Sequence, residues 1–148
     1  PRLPAPDTDI QIVSRQPRFW PLQQEWLRRL YPDDLAWYHS WNLSVFRPGL
    51  WNWLYLLFVD FNIKQWAAVR DDQLLATLSW VPQGNRSESL YAAAIRSESE
   101  ALTALLIHAQ RTISFSQRLT LEYPADEMSE AIRAAGFKPQ RTLLWMRA

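Results

Sequence analysis

Cysteine is absent from the 148 residues, which excludes a disulfide framework, a thiolate metal site and a cysteine nucleophile. Its absence fits a reducing compartment such as the cytoplasm. Histidine is scarce: His39 and His108 stand far apart, without H-E-x-x-H spacing, so no metal cofactor is expected. An excess of one charge is missing too. With 16 Lys and Arg against 15 Asp and Glu the net charge is +1, which offers no general reason to bind nucleic acid or an anionic membrane. All the basic residues except Lys64 and Lys138 are Arg, the better bidentate partner for carboxylate and phosphate. The longest uncharged apolar stretch, residues 48–59, is interrupted by Gly49 and Asn52 and falls short of the roughly 20 residues a membrane span needs. It also lacks the basic face of a membrane-surface helix.

What remains is ordinary globular composition, 48% hydrophobic and 21% charged, enough to bury a core in one domain over residues 1–148. Residues 1–9 read as an extended lead-in. They carry no apolar signal region, and the sequence opens on Pro1 rather than Met, so a processed chain or one domain of a longer, tandem protein is expected.

Ile10 and Ile12 alternate with polar neighbours as a short strand closed by Pro17. Phe19, Leu22, Trp26, Leu27 and Leu30 recur at helical spacing, with Pro21 tolerated in the first turn. A short helical segment capped by Asp33 and carrying Leu35 and Trp41 follows. A further helix after Pro48 has Leu50, Trp53, Leu54, Leu57, Val59 and Phe61 on almost every side and predicts burial. Alternation then takes over. Residues 66–70 and 74–81 form two strands around a tight turn at Asp71-Asp72-Gln73, with Leu74, Ala76, Leu78 and Trp80 on one face. Residues 82–85 turn again into a third strand over 89–95.

Ser97 with Glu100 three residues on is a capping box for a helix carrying Leu102, Leu105, Leu106, Ala109 and Ile113. Leu119, Leu121 and Tyr123 alternate in a strand ended by Pro124. Met128, Ile132 and Ala135 mark a helix stopped by Gly136, and residues 141–147 close the chain as a strand. The order β-α-α-β-β-β-α-β-α-β predicts an α/β fold, a mixed sheet with helices on its faces.

This order, together with Ala131-Ile132-Arg133-Ala134-Ala135-Gly136-Phe137-Lys138-Pro139, resembles the GNAT family of acyl-CoA-dependent N-acetyltransferases, whose corresponding end reads "LYEKLGFKP". The resemblance implies a splayed gap between the third meander strand and the next strand, in which acetyl-CoA or another acyl-CoA lies as donor. Ala92, Ala93, Ala94 and Ile95 would offer backbone groups to the pantetheine arm and one amide to the developing oxyanion. The family's pyrophosphate signature R/Q-x-x-G-x-G/A corresponds to Arg96-Ser97-Glu98-Ser99-Glu100-Ala101, with Arg96 and Ala101 matching and Ser99 in place of the first Gly. A helix start suits pyrophosphate because its amides are unpaired and its dipole is positive. Glu98 and Glu100 add negative charge there. Ile132 stands at the family's frequent tyrosine and Ala125 at its frequent asparagine, so Glu88, as a base through water, and Tyr123, as an acid, are the candidate proton carriers.

Each feature has a plainer reading. Ser97 and Glu100 suffice as a cap, Glu88 as a solvated strand-end carboxylate, Tyr123 as a half-buried strand residue, and His108 as a helix-surface residue. His39 lies in an aromatic run, and Trp51, Trp53, Trp66 and Trp80 are first of all packing residues. By resemblance, the helices after the first strand wall the acceptor, and an apolar wall suits a bulky or hydrophobic small-molecule or peptide amine, or a partner domain. Two functions stay open: acyl transfer from acyl-CoA to an amine, or a GNAT-like interaction domain without CoA binding, paired with a second such domain or a second copy.

Overall fold

The computed structural model describes residues 9–31, 46–58, 63–82, 87–95, 98–113, 118–121, 123–124 and 128–139. The expected helical segment around Leu35 and Trp41, His39, the turn after Pro82, Ala125 and the closing strand over 141–147 lie outside them. Strand β1 spans Gln11–Ser14, and helix α1 spans Trp20–Leu30 after a single 3-10 turn. Next come α2, Leu50–Phe58, then β2, Lys64–Arg70, β3, Gln73–Pro82, and β4, Ser87–Ala94. Helix α3 covers Ser99–Thr112, β5 covers Arg118–Leu121 and α4 covers Ser129–Ala134. The described strands form one sheet in the order β1-β2-β3-β4-β5, antiparallel except for the parallel β4–β5 pair.

Two turns follow from local chemistry. Asp71 and Asp72 both have positive φ, 50° and 62°, the two-residue hairpin geometry that matches strand twist and that aspartate tolerates. At the end of α4, Gly136 takes φ 93°, and the amides of Gly136 and Phe137 bond the carbonyls of Arg133 and Ile132 at 2.9 and 3.3 Å. That is the pair of bonds of a Schellman motif, and Phe137 and Ile132 both pack on the α3 side of the sheet.

The sheet buries two layers. On one face, Trp66, Ala68, Ala76, Leu78, Leu90, Ala92 and Ala94 meet Ala101, Leu102, Leu105, Leu106 and Ala109 of α3. On the other, Val81, Tyr91 and Ala93 meet Leu27, Leu30, Tyr31 and Phe46. Leu74 departs from the expected alternation. The β2–β3 register slips between Ala68 and Val69, leaving Leu75 as an extra residue, so Leu75 joins Ala76 on the α3 side and Leu74 turns to Phe19, Ala67 and Val69.

Helix α1 differs as well: Leu22 is exposed and Gln23 takes its place on the buried face. Gln23 Nε2 donates to Gln65 Oε1 at 2.9 Å and lies 3.4 Å from Ser79 Oγ, which itself donates to Gln65 Oε1 at 3.1 Å. Gln65 and Ser79 are cross-strand partners, so an amide on α1 has hydrogen bonds waiting beneath it.

His108 is half-buried rather than on the open helix surface, its ring edge-on to Trp66 at 5.5 Å. Burial, aided by Arg111, holds its pKa below the ordinary value of 6.5. The unfolded chain therefore takes a proton first as pH falls. Stability is expected to rise with pH from the folded ring's pKa up to about 6.5 and to level off above it. Urea midpoints between about pH 5 and 8 should show this slope in the wild type and lose it in His108→Gln.

Candidate functional site

The backbone of β4 is where the sheet opens. Ile95 N–H donates to Leu75 O at 3.2 Å, and pairing alternates along an antiparallel ladder. Ser89, Tyr91 and Ala93 therefore address β3, whereas Leu90, Ala92 and Ala94 address the opposite edge. Leu90 meets Leu121 there, the last described pair between β4 and β5, so Ala92 and Ala94 point past the end of the described pairing. Ala92, Ala93 and Ala94 are fully buried, and their methyl groups keep the strand slim. Arg29 Nη2, reaching over from α1, donates to Ala94 O at 3.2 Å.

Beyond Ala94 the chain turns into α3. Ile95 is spent on that turn: its N–H bonds Leu75 and its carbonyl accepts the Glu98 amide at 3.0 Å. The amides of Ile95 and Glu98 are thus hydrogen-bonded within the protein. The capping box is corrected. Glu98 is the N-cap residue and makes no side-chain cap, so the third helical position is Ala101, which has no group to reach back. The amides of Ser99, Glu100 and Ala101 are those that a helix leaves without intrahelical partners. Arg96 and Ser97 lie outside the described residues.

Glu98 has a different partner. Arg70 at the end of β2 places Nη1 3.3 Å from Glu98 Oε1 and 3.5 Å from Oε2, while its Nε holds Asp9 Oδ1 at 2.9 Å. The carboxylate expected to oppose an anion is therefore ion-paired, and Glu100 is exposed. Neither Arg29 nor Arg70 belongs to a sequence motif. Arg70 precedes Glu98 by 28 positions and Arg29 precedes Ala94 by 65, separations that only the sheet closes.

The candidate proton carriers are not brought together by register. Glu88 pairs Pro82 on one side and Leu119 on the other, within the closed part of the sheet; its side chain lies outside the described residues. Tyr123 comes four residues after Leu119, beyond the end of β5 at Leu121. Tyr123 packs against both the α1 and the α3 clusters, beside the parting of β4 and β5, with its hydroxyl buried. Helix α2 overturns the burial expected of it: Leu50, Trp51, Trp53, Leu54 and Leu57 are 43–84% exposed. Trp66 is buried and Trp80 half-buried, as packing residues should be.

The overall fold is shared with solved structures. One is an aminoglycoside 6′-N-acetyltransferase from Acinetobacter haemolyticus, with TM-score 0.55 and 17% identity over 93% of this chain and 97% of that one. The chain has the GNAT fold. An acetyltransferase from Trypanosoma brucei also shares it, with TM-score 0.52 and 8% identity over 94% of this chain and 99% of that one. No family model and no curated protein matches the sequence. No described helix is long and apolar enough to cross a membrane, and no group of three His, Cys, Asp or Glu among the described residues is placed to hold a metal ion.

Proposed function

We propose that the protein is an acyl-CoA-dependent N-acyltransferase that moves an acetyl or related acyl group to an amine of a small molecule or peptide. The edge of β4 beyond its described pairing with β5 carries this reading. Ala92 and Ala94 turn backbone groups toward the parting of β4 and β5, and three helix-start amides follow within a few residues. A pantetheine arm can pair with such an edge as a short strand would, and Ala93 adds no bulk that would hold it off. Arg96, with the amides of Ser99, Glu100 and Ala101, takes the pyrophosphate, and Ser97 lies between them. The amine nitrogen attacks the thioester carbon, the C–N bond forms as the C–S bond breaks, and the sulfur leaves as thiolate. Tyr123, beside the parting, is the proposed donor of a proton to that thiolate, and Glu88 the proposed acceptor of the amine's proton through water. Alignment of the two substrates supplies much of the rate. The exposed apolar face of α2 favours a bulky or apolar acceptor.

Calorimetric titration of the purified chain with acetyl-CoA and CoA tests the reading. Micromolar affinity is expected, and Arg96→Ala should weaken it by roughly 10–100-fold, the worth of a charge-assisted hydrogen bond to phosphate. A folded chain that binds neither ligand would leave the interaction-domain alternative.

A further inference from the structure

Arg70, at the end of β2, meets Glu98 at the start of α3. Glu98 is the N-cap residue, next to the three free amides of the first turn. A carboxylate so placed has two damaging options: it can fold over those amides as a cap, or remain beside them as a fixed negative charge. Either would compete with an incoming phosphate. It does not cap them, and Arg70 holds both its oxygens, at 3.3 and 3.5 Å. Arg70 is in turn pinned from the other side by Asp9 at 2.9 Å. The guanidinium thus spans two carboxylates through separate nitrogens held in one plane, Nε to Asp9 and Nη1 to Glu98, a fixed geometry that an ammonium lacks. The Glu98 side chain is only 23% exposed, so solvent screens this pair less than an open surface bridge.

We propose that Arg70 is a positioning residue of the donor site, which keeps the Glu98 carboxylate off the first turn of α3 so that the phosphates of CoA can bind there. This rests on the acyl-CoA reading above. It accounts for an acidic residue inside the phosphate-binding segment, and it places selectivity for CoA over unphosphorylated donors partly outside that segment.

The test is calorimetry on the full chain with CoA and with pantetheine, which carries the same arm without phosphates. The variants are Arg70→Gln, Glu98→Gln and the double variant. Arg70→Gln should weaken CoA tenfold or more, Glu98→Gln should bind it at least as tightly as wild type, and the double variant should recover wild-type affinity. Pantetheine should bind all four proteins equally. Unchanged CoA affinity in Arg70→Gln would overturn the proposal while leaving the acyl-CoA reading intact. A double variant as weak as Arg70→Gln would also overturn it, since Arg70 would then matter only to the fold. A wild type that binds no CoA would overturn the reading and this proposal with it. If Arg70→Gln does not fold, Arg70→Lys replaces it: the charge stays but the fork is lost, and weakened CoA binding restored by Glu98→Gln is again expected.

Discussion

Leu105→Ala should lower stability by about 2–5 kcal/mol, because Leu105 is fully buried between α3 and the sheet and its neighbours cannot close the space it leaves. Against a total of about 5–15 kcal/mol for an ordinary domain, that is a large fraction. The urea midpoint should fall by roughly 1–3 M at the slopes typical of small proteins. The folded remainder should keep its affinity for CoA, since no site group touches Leu105's role. Leu54→Ala on α2 should cost less than about 0.5 kcal/mol, because that side chain already faces solvent. Equal costs at the two positions would contradict the burial described for α2 and α3.

Ala76→Leu has the opposite defect. Ala68, Ala76 and Ala94 pair in a row across β2, β3 and β4, all fully buried beneath α3. Three adjacent methyl groups let the helix lie close to the sheet beside the point where β4 ends and α3 begins. A leucine at Ala76 must push the helix outward, with an expected cost of about 1–3 kcal/mol. The helix start moves with it, so CoA affinity should drop tenfold or more even where the variant remains folded. Thermal unfolding and calorimetry on the same sample separate the two effects. A destabilised variant with wild-type affinity would show that the row supports stability alone.

Much of the architecture was legible because it is written in local chemistry. The Asp71-Asp72 turn, the Gly136 stop and the helical spacing of Leu102, Leu105, Leu106 and Ala109 each specify backbone geometry within a few residues. The meander and the following helix were enough to indicate the GNAT fold. Misreadings arose where a residue's neighbour lies far along the chain. Alternation put Leu74 with Ala76, but one extra residue against β2 reverses it. Apolarity put Leu22 in the core and gave no reason to bury Gln23, whose partners Gln65 and Ser79 are 42 and 56 positions away.

The site divides along the same line. Which segment makes the helix start, and that Ala92, Ala93 and Ala94 keep the strand slim, follow from the sequence, since spacing and side-chain size are local properties. Which of those amides remain free, that Glu98 is ion-paired, that Arg29 covers the Ala94 carbonyl and that α2 faces solvent were decided by tertiary structure. Hydrogen-bond direction depends on register, ion pairing on distance, and burial on what else occupies the space. None of these exists until the sheet has brought β2, β4 and α3 together.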